Sequence, residues 1–301
     1  MILRQLKSLK TAYWITSGLV FLAGLLSCYT TGDRERLTVF AAASLTRAFT
    51  EAAAAFEQEH PEFSVILNFD GSQRLRVQLD HGARADVFAS ADERQMDLAR
   101  ESRLLATDPV TFATNTLVVA VSTQTRSTVH SLSDLAGEDV KLVMAHPEVP
   151  AGGYAKAVIA SLSEDPNFGP KYSAQVLENV VSQEPNVRGV LQKVALGEAD
   201  AGFVYASDVL SADNILALSV PSEANVVAVY PIAVLRDAVS QEAALMFIQF
   251  LTSPSGQRIL QAHGFGPVPS LTESTSGGSF VHSSEILRGV GLGLIRRVGA
   301  S

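Results

Sequence analysis

Leu37-Thr38-Val39-Phe40-Ala41-Ala42-Ala43-Ser44-Leu45 is the stretch from which the fold is read. Leu37 to Ala42 is an apolar run of strand length. Ser44 follows as a helix N-cap, a residue whose hydroxyl can accept from an orphan backbone N–H. Leu45, Ala48, Phe49, Ala52 and Phe56 then recur at helical spacing and form one apolar stripe. The same order repeats downstream. Phe63 to Phe69 predicts a second strand, and Asp70-Gly71-Ser72 turns it into a helix carrying Leu75 and Leu79. Asp86 to Ser90 predicts a third strand, and Glu93 to Leu104 a third helix. Such alternation implies a mostly parallel sheet with helices on both faces.

The pattern restarts at Thr116-Leu117-Val118-Val119-Ala120-Val121. Further strands are predicted at 140–144, 201–205, 226–229 and, after Pro231, 232–235. Helices are predicted near 154–162, 187–196, 241–252 and 255–263. Two α/β units thus lie end to end, without a sequence repeat between them. Ser270 to Ser284 is rich in Ser, Thr and Gly and reads as linker, so 270–301 is expected to be a flexible tail.

A chain of 301 residues with 47% hydrophobic and 18% charged residues can bury a real core, which excludes a disordered or fibrous protein. Arg4, Lys7 and Lys10 sit at the extreme amino end. Without them the balance is 20 basic to 31 acidic residues, a net of −11 against −8 for the whole chain. Phosphate backbones are held by clustered Lys and Arg, so nucleic acid is excluded as a partner.

Those three bases precede an uncharged apolar run from Thr11 to Ser27, the n-region and h-region of a secretory signal. Leu25-Leu26-Ser27-Cys28 closes it with the only cysteine of the chain and resembles the lipobox of bacterial lipoproteins. The alternative is a buried Cys at the end of a membrane helix, for which the run is marginally short. The expectation is a lipoprotein signal over 1–27, lipidation at Cys28 and a tether over 28–36. One cysteine also means no internal disulfide, so core packing alone must stabilise the exported body.

Catalytic patterns are missing. His60, His81, His130, His146, His263 and His282 never fall at metal-ligand spacing, and no Gly-x-Ser-x-Gly elbow occurs. Gly289, Gly291 and Gly293 lack the preceding strand of a dinucleotide site. Ser44 and Ser72 are different, because each sits between a strand and a helix start. Helix N-termini present unpaired N–H groups and partial positive charge, so two of them could converge on one anion. Both serines are equally readable as ordinary caps.

Val39-Phe40-Ala41-Ala42-Ala43-Ser44-Leu45, Gly71-Ser72 and Ala85-Asp86-Val87-Phe88-Ala89-Ser90-Ala91-Asp92 form part of an ordered set. Pro147 to Lys156, Asn186-Val187-Arg188-Gly189, Ala199 to Tyr205, Tyr230 to Val234, Ser253-Pro254-x-Gly256-Gln257 and Gly264-Phe265-Gly266 continue it. Together, over about 37–267, they resemble the periplasmic molybdate-binding proteins of ABC importers. The resemblance implies a type II periplasmic binding fold of two hinged α/β lobes, 37–114 with 231–269 and 115–230. It implies an oxyanion, molybdate or tungstate, held by Ser44, Ser72, Ala151, Val187 and Tyr205. The serines would give hydroxyl and backbone donors, Ala151 and Val187 their amides, and Tyr205 its phenol. No cofactor and no catalysis are implied; the partners are importer permease subunits and, through Cys28, the membrane. The protein is expected to be an exported monomer at the cell envelope. Gln73 departs from the family pattern, which often has Ser or Gly there. Competing readings are a receptor for another oxyanion such as sulfate, an exported α/β hydrolase, and an effector domain of a transcription regulator.

Overall fold

The computed structural model describes residues 34–124, 129–210 and 212–268. The signal, Cys28 and the 270–301 tail lie outside the described residues. Among the described residues nine strands form one mixed sheet: β1 (Glu35–Ala42), β2 (Phe63–Asp70), β3 (Val87–Ala89), β4 (Val110–Ser122), β5 (Leu142–Ala145), β6 (Val180–Glu184), β7 (Ala201–Tyr205), β8 (Ile215–Ser219) and β9 (Val227–Val234). Their order is β2-β1-β3-β9-β4-β7-β5-β6, with β8 also paired to β4. Nine helices accompany them: α1 (Thr46–Glu59), α2 (Ser72–Asp80), α3 (Glu93–Glu101), α4 (Pro150–Glu164), α5 (Tyr172–Glu178), α6 (Val187–Ala195), α7 (Ala206–Val209), α8 (Gln241–Thr252) and α9 (Pro254–Ala262). A 3₁₀ turn, Ala43–Leu45, joins β1 to α1.

Two parallel ladders carry the structure: β2, β1 and β3 on one side, β6, β5 and β7 on the other. Every antiparallel pairing involves β4 or β9. β4 pairs with β9 over Val110 to Thr116, then with β7 and β8 from Leu117 onward. β9 likewise passes from β4 to β3 at Ile232. These two strands therefore link the ladders, β9 reaching the first through β3 and β4 reaching the second through β7.

Two strands were expected around Pro231, and the structure has one that runs straight through it. Proline removes a ladder donor, which confines it to edges and irregular positions. Pro231 lies opposite Thr111, beside the register shift between Thr111 and Ala113, and its carbonyl accepts from Ser90 N at 2.9 Å. The missing N–H is thus placed where the ladder is already irregular.

Burial follows the two periods. Leu37, Val39 and Ala41 point from β1 into the core under α1, while Phe40 packs on the other face with Leu75, Leu79, Phe88 and Met96. Helix α1 buries Ala48, Phe49, Ala52 and Phe56. Phe56 meets Phe247 of α8 edge-on, ring centres 5.3 Å apart, and Phe49 meets Phe112 of β4 at 5.6 Å. Truncating a ring so enclosed costs about 3–5 kcal/mol. Among the described residues no helix is long and apolar enough to cross a membrane.

Candidate functional site

Parallel strands put their carboxyl ends on one side of a sheet, and in open α/β sheets ligands sit there. Ser44 follows β1, Ser72 follows β2, Ala151 follows β5, Val187 follows β6, and Tyr205 ends β7. All five line one cavity, together with Ala42, Ala43, Gly71, Ala91, Val149, Pro150 and Asn186. It leaves about 10 Å³ for the centre of a water-sized sphere, room for one small particle. None of the lining residues is Lys, Arg, His, Asp or Glu.

The wall is rich in donors. Gly71 starts α2 without a side-chain cap, so the amides of Ser72 and Gln73 have no intrahelical acceptor. Val149 starts α4 in the same way, and Pro150 at its first position has no N–H, which leaves Ala151 and Gly152. Asn186 caps α6, its Oδ1 accepting from Gly189 N at 3.1 Å, and Val187 and Arg188 remain. Acidic residues usually occupy first turns, where they offset the helix dipole. None stands in the first turn of α2, α4 or α6, whereas α3 and α8 carry Glu93 and Glu242 there. Three helix N-termini with no acidic residue in their first turn thus bracket one cavity.

The hydroxyls differ in how they are held. Ser44 Oγ is 3.0 Å from Tyr230 Oη. Ser72 Oγ accepts from Ala91 N at 3.0 Å, which leaves its own hydrogen to donate. Among the described residues Tyr205 Oη is buried without a hydrogen-bond partner, an arrangement that costs about 1–3 kcal/mol unless a ligand relieves it. Burial, reinforced by the neighbouring Tyr230, pushes the Tyr205 phenol well above its ordinary value, so it stays a donor. Behind it Asp208 is buried, and its Oδ2 accepts from Tyr205 N at 3.1 Å. Burial raises that carboxyl to about 7, partly offset by the Tyr205 amide, Arg188 and Arg47.

The α4 N-terminus can come so close only because residue 152 is glycine. A Cβ there would lie 2.2 Å from His146 O and 2.4 Å from Ala145 O. Asn186 entered only as part of the Asn186-Val187-Arg188-Gly189 motif, and neither its capping role nor its place in the wall was read from the sequence. Ala42, Ala43 and Ala91 carry no chemical signal in sequence at all. Among the described residues no group of three or more His, Cys, Asp and Glu could hold a metal ion.

Residues 37–266 match the family described as bacterial extracellular solute-binding protein. The molybdate-binding protein ModA of Mycobacterium bovis is 38% identical over 268 residues, which span 84% of this chain and 98% of that one. ModA of Escherichia coli is 32% identical, over 77% of this chain and 90% of its own. The structure of the Azotobacter vinelandii periplasmic molybdate-binding protein superposes with a TM-score of 0.67 at 22% identity, covering 78% of this chain and all of that one. The architecture is the type II periplasmic binding fold. A family of solute carriers rather than enzymes accounts for a buried wall of donors with no nucleophile or metal cluster beside it. This chain belongs to the bacterial extracellular solute-binding protein family.

Proposed function

We propose that the chain captures molybdate, with tungstate as a near-equal ligand, outside the cytoplasmic membrane and hands it to the permease of an ABC importer. The observation that carries this reading is the cavity wall: neutral donors, three helix N-termini with no acidic residue in their first turn, and one phenol unpartnered among the described residues, with no ionised side chain in the lining. A tetrahedral dianion is satisfied by N–H and O–H donors alone, each charge-assisted bond contributing about 1.5–3 kcal/mol. A protonated oxyanion such as hydrogen phosphate would bring a hydrogen that needs an acceptor. The wall offers no carboxylate for it.

Ser44 and Ser72 bind from one lobe, 37–114 with 231–269, and Ala151, Val187 and Tyr205 from the other, 115–230. The lobes close on the anion about the strands β4 and β9. A monomer tethered by lipid at Cys28 keeps the captured ion near the permease.

Calorimetric titration with molybdate, tungstate, sulfate and phosphate tests the reading. Molybdate and tungstate should bind with similar affinity, phosphate more weakly because its proton finds no acceptor in the wall, and sulfate more weakly because the smaller ion cannot reach all the donors at once, each lost contact being worth roughly tenfold. Sulfate binding as tightly as molybdate would overturn it.

A further inference from the structure

The two rims of the cleft are built differently. On one, Arg94 Nη2 donates to Glu148 Oε2 at 3.0 Å, but both side chains are more than half exposed (57% and 59%), and such pairs hold weakly. On the other, Asp70 is only 20% exposed and is fixed by three groups. Its Oδ1 accepts from Gly71 N at 2.8 Å and from Asn186 Nδ2 at 2.9 Å, and its Oδ2 pairs with Arg74 at 3.4 Å. The fourth constraint is its own position as the last residue of β2.

Asp70 and Asn186 each touch one anion-facing helix start. Asp70 orients the Gly71 amide at the head of α2, directly before Ser72. Asn186 Oδ1 caps α6, directly before Val187. Their mutual hydrogen bond therefore fixes the two helix N-termini against each other across the cleft. Gln73 adds a second strap at the same rim, Nε2 donating to Pro185 O at 2.9 Å. The approach is tight: a Cβ on Gly71 would lie 2.6 Å from Pro185 O.

We infer that the Asp70–Asn186 pair is a cross-cleft latch that sets how long the bound anion is held. Both are positioning residues acting through the helix starts they align. The inference rests on the oxyanion-binding reading above. Because the pair forms only when the rims meet, its loss should speed release rather than slow capture.

Stopped-flow tyrosine fluorescence with molybdate gives association and release rates for the folded chain. Asp70→Ala should release molybdate about tenfold faster, the scale of one lost hydrogen bond to a charged group, with association within about twofold. Asp70→Asn keeps the acceptor oxygen and should restore slow release. Asn186→Ser keeps a capping oxygen but cannot reach Asp70. Its effect should largely vanish in the Asp70→Ala background, the signature of a coupled pair. Melting of each unliganded variant confirms that a folded protein is being compared. Multiplicative effects of the two substitutions, or unchanged release in Asp70→Ala, would overturn the latch while leaving wild-type molybdate binding intact. Wild-type protein that binds no molybdate would overturn the functional reading and the latch together.

Discussion

The two ladders furnish the cavity by opposite means. The β2-β1-β3 side offers side-chain hydroxyls, Ser44 and Ser72, each already tied to another protein group. The β6-β5-β7 side offers backbone, the amides that open α4 and α6, and the one hydroxyl with no tie, that of Tyr205. Hydroxyls on the first side are aimed by hydrogen bonds, whereas amides on the second are aimed by how closely the chain can pack. A donor held by a hydrogen bond can be deleted one atom at a time. A donor held by packing is lost only when the backbone moves.

The largest expected effect comes from moving that backbone. Gly152→Ala places a methyl 2.2 Å from His146 O and must push the α4 N-terminus outward. Overpacking of this kind costs about 1–3 kcal/mol of stability. Two amides leave together, so affinity should fall by about a hundredfold or more in calorimetry. Near-normal binding would mean that α4 is not a donor.

Tyr205→Phe should come next, with a loss of roughly ten- to 150-fold in affinity. Its melting temperature without ligand should stay level or rise, because a buried unpaired hydroxyl is removed. A clear drop in melting would show that the hydroxyl is bonded within the protein and would break the contrast between the two sides.

Ser44→Ala and Ser72→Ala test the first side, where affinity and stability should fall together. Ser72→Ala strands the buried Ala91 amide and should lower stability by about 1–3 kcal/mol, alongside about a tenfold loss of affinity. Lowered melting with unchanged molybdate affinity would return both serines to simple structural roles.

The last expectation concerns pH and reads stability rather than affinity. Asp208 holds the Tyr205 amide and ionises near 7 when folded, against 3.8 for an unperturbed carboxyl. Between those values the folded chain carries a proton that the unfolded chain has released, so stability falls as pH rises through the window. Asp208→Asn retains an acceptor for Tyr205 N and should flatten that part of the slope between pH 4 and 7. Melting curves with an unaltered slope would refute the assignment.

The alternating order of strands and helices was legible because each apolar run ends where a turn begins, Ala42 before Ser44 and Phe69 before Gly71-Ser72, although Ser44 lies within the 3₁₀ turn rather than capping a helix, and Gly71, not Ser72, holds the cap position of α2. Helix α8 was read residue for residue, from Ser240, which caps it, to Thr252. β6 escaped because Val180-Val181-Ser182-Gln183-Glu184 is mostly polar and buries no residue fully, whereas the apolar run of β8, Ile215 to Leu218, was simply not read as a strand. The length of β4 escaped as well: only its apolar second part, from Thr116, stood out, while Val110 to Asn115 mixes Thr and Asn into the ladder. In the cavity, Ser44 and Ser72 announced themselves chemically. Ala151 and Val187 came only from the family resemblance, because an amide donor leaves no trace in the side chain that carries it. Asp70–Asn186 joins positions 116 apart, and no local pattern encodes such a contact.

The absence of side-chain chemistry at Ala151 and Val187 bears on how this surface can be explored by mutation or by drift. Scanning with alanine, the usual way to find a functional surface, passes over Ala151 in silence and at Val187 reports only lost packing. Only proline deletes an amide, and at the first position of α6 a proline is compatible with the helix. Both side chains are buried and matter for packing, whereas the amide that faces the cavity is common to every residue but proline. What the cavity needs at these two positions is a route of the chain through space, kept at α4 by the small residue at 152 and at α6 by the Asn186 cap.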